Sequence, residues 1–169
     1  KVLRSIVKVH RRASRLFVAG TATKARYGAE VIGASPTVLR RMRQQAGRTT
    51  GINCAGRCLT TAIAVCHGQH NDPAVRCATL QVKEWISMWQ SKGALHHRTR
   101  LCWARTRKRF VRHGVMRKPD WGRAVGPVSA MIYLLLQHGW DPCEPDVWRD
   151  LHGDVWKDVC RERACENSW

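Results

Sequence analysis

Apolar residues recur along this chain at three- and four-residue spacings, the period of one face of an α-helix. Over residues 2 to 19 the set is Val2, Leu3, Ile6, Val7, Val9, Leu16, Phe17 and Val18, with Arg4, Lys8, Arg11, Arg12 and Arg15 between them. That pattern predicts an amphipathic helix ended by Gly20. Ser35 and Pro36 make an N-cap and first-turn signal, after which Val38, Leu39 and Met42 take one side and Arg40, Arg41 and Arg43 another. A helix to about Ala46 follows from this. Arg48-Thr49-Thr50-Gly51 breaks it, and the Ala-, Cys- and Leu-rich run from Ile52 to Cys66 reads as a buried helix. Asp72-Pro73 caps a helix from Ala74 to about Gln90, with Val75, Leu80, Val82, Trp85, Ile86 and Trp89 as its apolar set. From Ala94 to His113 runs the most basic helix, and Pro127 opens an apolar one over Val128 to His138, stopped by Gly139.

Two stretches fall outside this periodicity. Tyr27 to Gly33 holds two glycines and reads either as a short turn of helix or as a buried loop. After residue 140, acids alternate with Trp140, Trp148, Trp156 and Trp169. The whole is expected to be mainly α, about six helices in an irregular bundle with an acidic, Trp-containing C-terminal tail.

Charge sharpens the picture. Lys and Arg number 30 against 12 Asp and Glu, a formal net charge of +18. All but four of the cations precede residue 141, whereas eight of the acids follow residue 140, so a strongly basic body carries a net acidic end. A body so cationic implies a polyanion partner. Residues 94 to 113 contain no acid and carry Arg98, Arg100, Arg105, Arg107, Lys108, Arg109 and Arg112 around Leu95, Leu101, Trp103 and Phe110. The clusters at 11 to 15, 40 to 43, 98 to 100 and 105 to 112 suit a groove in which each cation set against a phosphate releases a counterion. Trp85, Trp89 and Trp103 could stack bases, but their helical spacing among Leu and Ile makes them core residues. No apolar run approaches the roughly 20 residues of a membrane span. A chain without membrane contact, inside the cell in nucleus or cytoplasm, is therefore expected.

Cysteine and histidine, eight of each, raise three chemical alternatives. A disulfide framework is disfavoured because no secretory segment opens the chain and the cysteines sit in helical patterns; reduced thiols are expected. A tetrahedral zinc could draw on Cys54, Cys58, Cys66 and His70 or His67, yet the spacing matches no common finger or knuckle, and cysteines four apart on a helix behave equally well as small core hydrophobes. No metal and no cofactor is therefore expected. A Cys thiolate near His67 could be a nucleophile, but no Gly-x-Ser-x-Gly elbow, phosphate loop or His-Glu-x-x-His accompanies it. Two-metal polynucleotide chemistry needs clustered carboxylates, and the four scattered acids before residue 141, Glu30, Asp72, Glu84 and Asp120, cannot supply a cluster. The acid-free opening of 26 residues would suit a mitochondrial presequence; it reads better as the first basic helix of a fragment of a longer reading frame.

Two stretches carry a resemblance. Arg26-Tyr27-Gly28-Ala29-Glu30-Val31-Ile32-Gly33 followed by Leu39-Arg40-Arg41 is one; Trp121, Gly126-Pro127-Val128-Ser129-Ala130, Leu136, Gly139-Trp140, Trp148-Arg149-Asp150 and Gly153 make the other. Together they resemble the region just downstream of the catalytic palm in non-LTR (LINE-type) retrotransposon reverse transcriptases of the kind abundant in dinoflagellate and related protist genomes. The first looks like the element entering the thumb, and the second is similar to the linker leading towards an RNase H module. The resemblance implies a thumb-like helical region over 1–70, a basic helical region over 71–140 and an acidic linker over 141–169. It also implies that the polymerase's Tyr/Phe-x-Asp-Asp motif lies upstream of Lys1, with nuclease modules downstream.

The expectation is thus a non-catalytic, nucleic-acid-binding fragment of a retrotransposon polyprotein that grips template-primer phosphates of RNA and/or DNA with little sequence preference. Arg40, Arg41, Arg43, Arg105, Arg107, Lys108, Arg109 and Arg112 are the candidate phosphate contacts. The alternatives are a zinc-stabilised basic module, a Cys-dependent enzyme and a decayed reading frame without activity.

Overall fold

The computed structural model describes residues 27–51, 58–91 and 93–157, together with Ile6, Gly20 and Gly56. The helix expected over residues 2 to 19 lies outside the described residues, Ile6 apart. Among the described residues the chain is mainly α. Six helices, α1 (Ala29–Ile32), α2 (Pro36–Arg48), α3 (Leu59–His67), α4 (Pro73–Ser91), α5 (His96–Arg112) and α6 (Pro127–Gln137), precede a small sheet of β1 (Asp141–Glu144), β2 (Val147–Arg149) and β3 (Val155–Trp156). The chain divides into two compact units, one of Lys1–Glu30 with Ala34–Leu80, the other of Val31–Gly33 with Gln81–Trp169. No described helix is long and apolar enough to cross a membrane.

In the first unit, α2 starts as the sequence predicts. The Ser35 hydroxyl accepts the Val38 amide at 3.2 Å, and Pro36 occupies the first turn, where its missing N–H costs nothing. Met42 and Ala46 bury the apolar side of the helix. Thr49 and Thr50 close it by donating to the Ala46 and Gly47 carbonyls at 2.7 and 2.8 Å. Of the helix expected over Ile52 to Cys66, residues 52–55 and 57 lie outside the described residues; the described helix runs over Leu59–His67, and Gly56 ahead of it stands at φ 73°, a left-handed backbone conformation that suits glycine. Asp72 carries two duties. One carboxylate oxygen caps α4 through the Ala74 amide at 2.9 Å, and the other receives Arg43 Nε at 3.0 Å and Nη2 at 2.9 Å. The side chain of Asp72 is only 5 % exposed, so its charge is stabilised by these donors and by little water. His67 joins the ends of α2 and α3, its Nε2 lying 3.2 Å from the Ala46 carbonyl oxygen.

The second unit holds the larger core. Trp85, Ile86 and Trp89 of α4, Trp103 and Phe110 of α5, Met131, Ile132 and Leu135 of α6, Val115 and Trp148 form one buried cluster. The three tryptophans that could have stacked bases are core residues, as their spacing suggested. Their polar ends are satisfied inside: Trp85 Nε1 donates to the Pro145 carbonyl at 2.9 Å and Trp103 Nε1 to the Pro142 carbonyl at 3.1 Å. Gly33 sits at φ 72° against this unit, where an added Cβ would fall 2.9 Å from the Trp121 ring.

The acidic stretch expected as a linker folds, over Asp141–Trp156, into an antiparallel sheet of order β1-β2-β3. A two-residue turn, Pro145-Asp146, joins β1 to β2, and Trp148 pairs with Trp156 across β2 and β3. Pro142 is tolerated because β1 is an edge strand, where one face of the backbone lacks a partner. The following turn is organised by Asp150, whose carboxylate accepts the His152 and Asp154 amides and the Trp156 indole at 2.9, 3.0 and 3.1 Å. These donors, the indole foremost, hold its carboxyl below the ordinary range.

Candidate nucleic-acid interface

Helix α5 is fastened by its apolar side, since Trp103 is 1 % and Phe110 0 % exposed. At about 100° per residue, that anchorage leaves two basic stripes, one nearly opposite the buried side and one between the first and that side. Arg98, Arg105, Arg109 and Arg112 fall within about 60° of one another and run along about 21 Å of helix axis. All four are exposed, and among the described residues no acid pairs with any of them. Arg109 is steadied by donating to the Arg123 carbonyl at 3.2 Å and by lying over the Phe110 ring at 5.6 Å.

The second stripe, Arg100, Arg107 and Lys108, faces the β1–β2 hairpin across an open groove of about 650 Å³, floored by Trp103 and edged by Cys143 and Pro145. Here the arginines are engaged. Arg107 Nη2 donates to Asp141 at 2.8 Å and Arg100 Nη2 to Asp146 at 3.2 Å. Arg100 also lies 5.6 Å from the Trp89 ring, which stacks on His96 with centroids 4.1 Å apart. Burial, and then the neighbouring Asp141 carboxylate, push the Cys143 thiol above its ordinary pKa.

The structure therefore sorts the candidate phosphate contacts by availability. Arg105, Lys108, Arg109 and Arg112 are exposed on α5, and Arg40 and Arg41 are exposed on α2. Arg107 is half-buried and paired. Arg43 is turned inward to Asp72 and, at 2.7 Å, to the Thr60 hydroxyl, so its guanidinium is a strut of the first unit. Residues 11 to 15 lie outside the described residues. Two cations absent from the candidate set belong to the stripes: Arg98 to the exposed one and Arg100 to the groove. Helical spacing reveals both, because 98, 105, 109 and 112 share one face and 100 and 107 another.

The thiols show a different arrangement from a metal set. Cys58 caps the start of α3 and Cys66 lies near its end, about 12 Å further along the axis, whereas thiolates on one zinc must each sit about 2.3 Å from it. Cys54 lies outside the described residues, and no cluster of three potential ligands occurs among those described. Cys58, Cys66, Cys102 and Cys143 are free thiols. The Thr61 amide and then its hydroxyl, with the Thr60 amide, lower the exposed Cys58 thiol to about 7. His67 stands at the opposite end of that helix and is not its base.

Comparison with protein-family models, curated proteins and solved structures finds no match to the chain.

Proposed function

We propose that this chain is a non-catalytic nucleic-acid grip that holds the phosphates of an RNA or DNA strand, acting inside the cell, in nucleus or cytoplasm, as the post-palm part of a retrotransposon reverse transcriptase. The carrying observation is the exposed row Arg98, Arg105, Arg109 and Arg112, unpaired by any described acid, on a helix whose other side is locked into a tryptophan core. A row of guanidiniums on a helix anchored by its other side presents donors to successive phosphates, and each contact adds affinity that depends on salt and little on sequence. The net charge of +18 and the resemblance of residues 26–41 and 121–153 to that retrotransposon region support the same reading. Polymerisation then belongs to a palm upstream of Lys1 and strand degradation to modules downstream.

The test is binding of the whole chain to a labelled RNA/DNA duplex across a salt series. Arg105→Ala, Arg109→Ala and Arg112→Ala combined should flatten the log–log salt slope by about 2.7, near 0.9 per lost contact, with the melting temperature held. Binding that is absent or independent of salt in the wild-type chain overturns the reading.

A further inference from the structure

The ion pairs in the α5–hairpin groove are incomplete. Arg107 donates to Asp141 through Nη2 while its buried Nε has no partner among the described residues, and Asp146, its side chain 10 % exposed, receives Arg100 on Oδ2 while its buried Oδ1 has none among them either. A carboxylate that matched its guanidinium would take two parallel hydrogen bonds. These take one each, at the rim of a groove of about 650 Å³ that Lys108 also lines. Both arginines project from the stripe beside the exposed row of α5, and both acids stand on one hairpin, whose Pro142 and Pro145 carbonyls are tied to Trp103 and Trp85. A phosphodiester carries the same single charge as a carboxylate, and its two non-bridging oxygens accept the guanidinium fork in the same bidentate way.

We propose that this groove is a phosphodiester subsite whose resting occupants are the chain's own carboxylates, Asp141 and Asp146, which a nucleic-acid strand displaces from Arg107 and Arg100. The proposal rests on the reading of α5 as a nucleic-acid grip and adds a second row of contacts to it, released only when the strand outcompetes the hairpin. Loading the strand exchanges two weak single-point pairs for phosphate contacts. The hairpin therefore lowers resting affinity and raises the demand for a correctly seated strand.

The experiment compares the whole chain with Asp141→Asn/Asp146→Asn and with a charge-matched control, Glu84→Gln/Asp154→Asn, whose exposed acids make no ion pair among the described residues. Each is titrated with a labelled RNA/DNA duplex across a salt series. The hairpin variant should bind roughly five-fold or more tightly than the control at about 0.1 M salt, because the partly exposed guanidiniums of Arg107 and Arg100 no longer face a competing carboxylate. If the wild-type strand leaves the hairpin pairs in place under these conditions, the variant's slope should also steepen by up to about 1.8. Asp141→Asn alone, at a side chain 36 % exposed, guards against misfolding and should deliver about half of each effect. A hairpin variant indistinguishable from the control overturns the subsite while the α5 grip stands. Binding by the hairpin variant when wild type and control bind nothing upholds the placeholder and sinks the resting grip, and binding by none overturns both.

Discussion

Replacing Arg43 by Ala separates a structural arginine from a phosphate-binding one. The guanidinium makes two contacts with Asp72, at 3.0 and 2.9 Å, and one with Thr60 at 2.7 Å. Its removal leaves a carboxylate that is 5 % exposed with the Ala74 amide as its remaining donor. Breaking a buried pair from one side costs about 3–5 kcal/mol. The retained amide and the 28 % exposure of Arg43, which lets water follow the cavity, place this case near the lower end, about 3 kcal/mol. For a chain of this size that corresponds to a fall of about 10 °C in melting temperature, or to an earlier urea midpoint at an unchanged slope. Arg40→Ala and Arg41→Ala, on exposed positions of the same helix, should stay within about 0.5 kcal/mol of wild type. Circular dichroism melts of the three variants, with duplex binding measured well below the transition, provide the assay. An Arg43→Ala chain as stable as wild type, with a salt slope flatter by about 0.9, would refute the reasoning by placing the guanidinium on phosphate instead of Asp72.

Two further outcomes follow from the core and from the α3 thiol. Trp103→Phe keeps an aromatic ring but deprives the buried Pro142 carbonyl of its indole donor; with the void left by the smaller ring it should cost about 2–4 kcal/mol in urea unfolding, whereas Trp156→Phe, at 51 % exposure, should cost under about 1 kcal/mol. Loss of equal size in both would mean that Trp103 does not tie the hairpin down. Cys58, lowered to about 7, is about half thiolate at pH 7, against roughly one part in a hundred for an ordinary thiol. Allowing for the weaker nucleophilicity of a less basic sulfur, its alkylation at that pH should be about five-fold faster. Followed by peptide mapping, its rate should rise with pH and level off above about 7; a rate still climbing beyond pH 8 would show that the amides at the start of α3 do not hold the thiolate.

Much of the helical architecture is legible in the residues themselves. Ser35-Pro36, Asp72-Pro73, Pro127 and Gly139 mark ends that the structure places within a residue or two of expectation, because capping is a local matter of which backbone groups lack partners. The tryptophans on α4 and α5 were assigned to the core by a period of 3.6, and burial bears that out. The sheet was not visible. Its strands are two to four residues long, with Pro142 inside the first and Pro145 in the turn after it, so they carry no alternation, and they hold their shape through indole donors 39 and 60 residues away.

The same division runs through the candidate interface. Composition and spacing alone established a basic body and an acid-free helix, whereas the row of arginines on one face of it, although set by helical geometry, was picked out only once the buried side was known. Which arginines are available was decided only by the fold. Arg43 met Asp72, Arg107 met Asp141 and Arg100 met Asp146, partners 29, 34 and 46 residues distant. Charge is a property of each residue, whereas its availability to a partner depends on which opposite charge the chain brings within a few ångströms, and that is set by packing.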